Sequence, residues 1–178
     1  MEKEKYLLTV SSIEPRKNLP RVIEAFLSLD IDYKLIIVGS RNKTFANSKF
    51  ADSLLTDRIE FTGYLSDEKL IEIYNRAEIF IYASLFEGFG IPPLEAQACG
   101  CPCIVSNVTS LPEVYGNSVE YCNPKEVDDI ARAIKSLIED KTARKKLIKE
   151  GLNNFGKYNW DKSTREIEKI IYEESINS

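Results

Sequence analysis

Two glutamates, Glu87 and Glu95, frame the stretch Glu87-Gly88-Phe89-Gly90-Ile91-Pro92-Pro93-Leu94-Glu95. An apolar run, Ile79 to Ala83, precedes it and reads as a buried strand of a parallel sheet. Gly88 and Gly90 let the backbone bend and come close to a ligand. Pro92 and Pro93 suit the opening of a helix, where missing N–H groups cost little, and Gly100 suits its end. A strand that feeds a glycine loop and then a helix N-terminus presents backbone N–H groups and a positive dipole end to an anion. The two carboxylates fit a different chemistry. They would repel a phosphate, but they accept well from hydroxyl groups. Phosphate flanked by hydroxyls describes a nucleotide sugar. The blander reading is that the glycines only make a turn and that both glutamates are solvated, as exposed glutamates commonly are.

The elements that must position these residues follow from hydrophobic patterning. Strands are expected at Tyr6–Val10, Lys34–Val38, Ile59–Thr62, Ile79–Ala83, Cys103–Ser106 and Val119–Tyr121. The intervening helices carry Val22, Ala25, Phe26 and Leu29 on one face, and Leu70, Ile73, Tyr74 and Ala77 on another. Asn18 and Ser66 are expected to cap those two helices. A weaker helix is expected around Phe45 to Leu55, and a short turn at Leu111–Tyr115. Asn123-Pro124 should open a helix carrying Val127, Ile130, Ala131, Ile134 and Leu137, followed by helices at Thr142–Asn154 and Trp160–Glu174. Strands alternating with helices give an α/β fold, a Rossmann-like doubly wound parallel sheet of about six strands in the order 3-2-1-4-5-6. In that order the first and fourth strands are neighbours at the switch point, and ligands bind beyond their carboxyl ends. The loop after the first strand holds Arg16 and Lys17, so a cationic loop and the glycine loop should share one crevice. Lys17 is the first choice for a diphosphate contact, as a point charge on the developing leaving group, with Arg16 second.

The motif E-G-F-G-I-P-P-L-E-A-Q-A-C-G resembles the signature of glycosyltransferase family 4 (glycosyltransferases group 1). S-S-I-E-P-R-K-N-L, F-T-G-Y-L-S and S-L-P-E-V-Y-G extend the likeness in family order, and E-P-R-K-N is similar to the mannosyltransferase-like members. The resemblance implies the C-terminal, nucleotide-sugar-binding half of a GT-B enzyme. Residues 1–178 would form that one domain, with the N-terminal acceptor domain supplied in cis or in trans. It implies a retaining hexosyltransferase that takes mannose or a similar hexose from GDP-mannose or a UDP-hexose to a glycan or lipid-linked acceptor. Glu87 and Lys17 would be catalytic, with Glu87 facing hydroxyls of the donor sugar and Glu95 those of the ribose. The backbone of Gly88, Phe89, Gly90 and Ile91 would reach the diphosphate or sugar, and Gly39 is placed with the same donor site. Tyr64 and Leu65 would flank the base, with Arg41 stacked over it. The family often has Gly-Arg just after the first strand, where this chain has Ser11-Ser12. Either Ser12 supplies only a hydrogen bond there, or Arg16 takes over the charge.

Composition narrows the alternatives. With 178 residues and a net charge of −4, the chain can bury a full core and offers no overall basic field for nucleic acid. There is no histidine, which removes histidine metal sites, Ser-His-Asp triads and Cys-His pairs. Cys99, Cys101, Cys103 and Cys122 read as buried small hydrophobes, and no metal or cofactor is expected. Asp30-Ile31-Asp32 precedes the second strand, at the wrong end of the sheet for a donor-site metal, and reads as turn residues. The loops match neither a Walker phosphate loop nor G-x-G-x-x-G after the first strand. Lys141 to Lys149 reads as a solvated helix face, and Lys157-Tyr158-Asn159 as a flexible joint. The helix from Trp160 is expected to leave apolar surface for the absent half to cover. With no signal peptide and no spanning run, the expected location is the cytoplasm; contact with the inner face of the membrane, if any, would come through the missing half. The competing functions are a sugar-nucleotide epimerase and a non-catalytic nucleotide-sugar-binding module.

Overall fold

The computed structural model describes residues 3–11, 14–39 and 56–176. Six strands, β1 (Glu4–Val10), β2 (Lys34–Val38), β3 (Ile59–Gly63), β4 (Ala77–Tyr82), β5 (Cys103–Ser106) and β6 (Glu120–Cys122), form one parallel sheet. Its order is β3-β2-β1-β4-β5-β6, the doubly wound order expected from the alternation of strands and helices. The described helices are α1 (Leu19–Leu27), α2 (Asp67–Arg76), α3 (Ile91–Ala98), α4 (Leu111–Tyr115), α5 (Val127–Glu139), α6 (Lys141–Phe155) and α7 (Trp160–Ile176). The helix expected around Phe45 to Leu55 lies outside the described residues.

Alternation along the central strands divides the core into two layers. Leu7, Leu35, Ile37, Ile79, Ile81 and Ile104 face α1 and α5, meeting Val22, Ile23, Phe26, Ile130 and Ile134. Leu8, Val38, Phe80, Tyr82 and Val105 face the other side, against Tyr74, Leu94, Leu111 and Tyr115. A buried side chain of this size contributes about 1.5–3 kcal/mol, so both faces of the sheet are held and its carboxyl edge is a rigid rim.

Several expectations change in detail. Ser66 caps α2 by accepting the Lys69 N–H, as expected. Asn18 does not cap α1 with its side chain: it sits at φ +58° and turns its amide elsewhere. α5 begins at Val127 rather than at Asn123-Pro124, because Asp129 Oδ2 takes the Asn123 N–H and holds that turn outside the helix. Lys141 to Lys149 is not wholly solvated: Arg144 is buried, ion-paired to Glu78 at 2.7 Å. The proposed joint is pinned, since the Tyr158 hydroxyl donates to the Val114 carbonyl at 2.9 Å and its ring meets Phe89 edge-on. Cys101, Cys103 and Cys122 are buried and free, whereas Cys99, expected to be buried with them, is free but only half-buried. Desolvation pushes the thiols of Cys101 and Cys122 up to about 12 and that of Cys103 well above its ordinary value.

Candidate donor site at the switch point

Beyond β1, the chain turns through a single 3-10 turn, Pro15–Lys17, before α1. Two contacts fasten this loop to the one that leaves β4. The Leu85 N–H donates to the Arg16 carbonyl at 2.7 Å. Asn18, almost fully buried, donates through Nδ2 to the carbonyls of Ala83 at 2.9 Å and Pro124 at 2.6 Å. An asparagine tolerates its left-handed backbone better than most residues. One side chain thereby ties together the loops after β1, β4 and β6.

The fastening brings Arg16 and Lys17 onto Glu87. Lys17 Nζ donates to Glu87 Oε1 at 2.8 Å and to the Tyr82 hydroxyl at 2.8 Å. Arg16 Nη1 lies 3.1 Å from both Glu87 oxygens, while its Nε donates to Glu14 at 2.7 Å. Glu87 is 9% exposed and Lys17 12%, whereas Arg16 is 45% exposed. Burial alone would push the Glu87 carboxyl up. Hydrogen bonds from Lys17, Tyr82 and Ser84, with the Lys17 charge, outweigh it and hold the group below its ordinary value. Tyr82 is pushed up, first by burial and then by the Glu87 carboxylate, and stays a phenol. Among the described residues, the two cations and the two carboxylates, Glu14 included, sum to zero.

The glycine loop then runs into α3. Gly90 occupies the N-cap position at φ +86°, and a Cβ there would come within 2.7 Å of Leu111. Its carbonyl accepts from the Tyr115 hydroxyl. Gly88 is exposed, and a Cβ there would meet nothing within 4 Å, so space alone does not demand that glycine. No described residue accepts a hydrogen bond from the amides of Gly88, Phe89, Gly90 or Ile91. The N-terminus of α3 therefore carries a partial positive charge beside the ionic cluster.

Glu95 lies one turn into α3, exposed, with Oε2 accepting from the Tyr74 hydroxyl at 3.1 Å. Gly39 closes β2 at φ +148°, where a Cβ would come within 2.2 Å of the Ser11 carbonyl. Its N–H donates to Gly63 at the end of β3. Tyr64 leaves that strand 88% exposed, and Leu65 is half-buried against the core. Ser12 and Arg41 lie outside the described residues.

Lys17, Arg16 and Glu87 are thus brought into direct contact, with Gly88, Phe89 and Gly90 following Glu87 in the same loop and Ile91 opening α3. Sequence reading did not find Tyr82, Asn18 as a bridge, or Thr109 and Ser110, whose hydroxyls bond the Glu87 backbone. Tyr82 left a faint signal as the polar-tipped residue that ends the apolar run Ile79–Tyr82. Thr109 and Ser110 left none. Among the described residues, no group of three His, Cys, Asp or Glu could hold a metal ion. No helix there is long and apolar enough to cross a membrane.

The sequence matches glycosyl transferases group 1 over residues 1–154. The chain belongs to that family. This group 1 chain is 35% identical over 165 residues to the serotype-specific mannosyltransferase WbdA of Escherichia coli, covering 88% of the chain and 20% of WbdA. Its fold is similar to sucrose-phosphate synthase from Thermosynechococcus elongatus, with a TM-score of 0.86 at 24% identity, covering 98% of the chain and 46% of that protein. It is also similar to HepE from Anabaena, solved in complex with UDP-glucose, with a TM-score of 0.84 at 18% identity, covering 96% and 49%. The chain therefore spans less than half the length of each of these proteins.

Proposed function

We propose that this chain is the donor-binding half of a retaining hexosyltransferase, with a nucleotide-diphospho-mannose as its preferred donor. The observation that carries the reading is the meeting of Arg16, Lys17 and Glu87 beside the α3 N-terminus, at the carboxyl ends of β1 and β4. That is where an open doubly wound sheet binds ligands. The likeness to WbdA supports mannose, and the complex of HepE with UDP-glucose supports a nucleotide sugar as the ligand class.

In this reading the diphosphate sits over the free amides of the glycine loop. Because Arg16 and Lys17 are both already paired with carboxylates, an anionic ligand draws one of these cations away from its partner. Arg16 is the easier one to redirect, since exposed ion pairs contribute little. Lys17 keeps Glu87 ionised and adds a positive charge beside the leaving diphosphate. Glu87 accepts from hydroxyls of the sugar and Glu95 from those of the ribose; Tyr64 and Leu65 border the base. The bond from the anomeric carbon to the diphosphate breaks, and a bond to an acceptor hydroxyl forms with the configuration retained. The acceptor proton leaves to a base outside this chain, which has no histidine to take it. In this reading no metal is required, because the redirected Arg16 and the helix terminus supply the positive potential.

The acceptor domain lies N-terminal to this one in the complete enzyme, and α7 is the segment that leans on it. That helix exposes Trp160 (81%), Ile167, Ile171 and Tyr172. The reaction takes place in the cytoplasm. Titration calorimetry with GDP-mannose and UDP-glucose, with and without chelator, tests the donor site. Micromolar binding that survives chelation is expected; loss on chelation with recovery in magnesium or manganese refutes the metal-free site, and binding of neither donor refutes the site itself. Transfer by this chain alone to a defined acceptor would refute its role as a half-enzyme.

A further inference from the structure

Thr109 is one of two non-glycine residues at positive φ among the described residues, at +56°. Unlike Asn18, it is β-branched, and its side chain fits the left-handed region poorly. Strain of this kind persists only where the surroundings over-determine it, and it gathers at functional sites. Thr109 lies between β5 and α4, on a crossover separate from the glycine loop. Its Oγ1 accepts the Glu87 N–H at 3.3 Å and donates to the Val108 carbonyl at 2.8 Å. The next hydroxyl, Ser110 Oγ, donates to the Glu87 carbonyl at 2.9 Å. Two consecutive side chains thus hold both backbone groups of the one buried carboxylate in the crevice.

Glu87 needs such a hold. It is followed by Gly88, around which there is open space, and then by Phe89 and Gly90. The loop itself therefore offers little to stop the Glu87 peptide from rotating, and its side-chain partners Arg16 and Lys17 would follow or be lost. A glycine at position 109 would relieve the backbone but bring no hydroxyl.

We infer that Thr109 and Ser110 are positioning residues that clamp the Glu87 peptide, so that its carboxylate is presented to the sugar of the donor. The sugar-directed part of this inference rests on the donor-site reading above; the clamp itself does not. Two measurements on the 178-residue chain separate the two. The first uses no ligand: amide hydrogen exchange at Glu87, followed by NMR. Thr109→Gly and Ser110→Ala should speed exchange there by about tenfold or more, with Thr109→Ser close to wild type. Thr109→Gly should meanwhile melt close to wild type, since relieved left-handed strain offsets the lost hydrogen bond. Unchanged exchange at Glu87 in both variants overturns the clamp. The second compares GDP-mannose with GDP. The clamp predicts that Thr109→Gly lowers the ratio of the two affinities by about tenfold, the size of one lost hydrogen-bonding contact, while GDP binding stays constant and Thr109→Ser rescues the ratio. A lower melting temperature with equal loss for both ligands means a merely structural role and overturns the inference. Binding of neither ligand by the wild type overturns the donor-site reading, and Glu87 exchange still decides the clamp.

Discussion

Glu78, near the amino end of β4, and Glu87, in the loop beyond its carboxyl end, each meet a cation in a largely buried setting. At the amino end, Arg144 Nη2 lies 2.7 Å from Glu78, while Nη1 donates to the carbonyls of Leu137 and, at 2.8 Å, Ile138. The guanidinium thus serves the C-terminus of α5, where carbonyls lack helical partners. Protein groups take up both terminal nitrogens, and Arg144 is buried. At the carboxyl end, Lys17 and Arg16 share Glu87, and Arg16 is half-exposed and also engaged with Glu14. The same kind of pair serves as a clip where its members have no other role to take, and as a site where one member can be redirected at low cost.

The comparison breaks most visibly through Arg144→Ala, which strands a carboxylate and two carbonyls. Stability should fall by about 3–5 kcal/mol, the usual cost of removing one partner of a buried pair. Urea denaturation measures this, and donor affinity of the folded fraction should not change. Lys17→Ala should behave in the opposite way. Arg16 Nη1 already reaches both Glu87 oxygens, so the stability cost is smaller than at Arg144, while donor affinity drops by about 1.5–3 kcal/mol. A large loss of stability with intact binding would erase the distinction between the two ends. Glu95→Gln sharpens it further: stability should stay within about 0.5 kcal/mol, as for other exposed positions, and calorimetry should find weaker nucleotide-sugar binding.

The smallest effect is on acid stability. The Glu87 carboxyl is held below its ordinary value in the folded chain, so its ionised form favours folding. That contribution is complete above about pH 5, the upper side of the usual glutamate range, and disappears as pH falls through the lowered folded value. Glu87→Gln should therefore flatten the acid limb of a stability–pH curve relative to wild type. Parallel curves for the two proteins would show that Lys17 and Tyr82 do not tune this carboxyl.

Much of the fold was legible because its signals are local. Lys34–Val38 and Cys103–Ser106 are strands at their expected bounds, since a buried strand reads as an apolar run. Ser66 caps α2 because its side chain needs only the N–H three residues on. Asn18 had the same local signal and was diverted, because carbonyls of Ala83 and Pro124 offered it buried partners that no short window contains. Arg144 was read as solvated for a related reason: helical spacing shows an alternating face but not that Glu78 lies beneath it.

By itself, the sequence determined the alternation of strands and helices, the strand order that right-handed crossovers allow, and the loop pair that must meet beyond β1 and β4. Each of these depends on short-range periodicity plus the general rules of doubly wound α/β topology. Only the tertiary structure decided that Lys17 Nζ bonds Glu87 and Tyr82, that Arg16 divides itself between Glu87 and Glu14, and that Thr109 holds the Glu87 amide. Lys17 and Glu87 are separated by 70 positions, and Asn18 and Pro124 by 106. Contacts over such distances depend on how the loops lie on a rigid rim to within a few tenths of an ångström, and residue spacing along the chain does not carry that information.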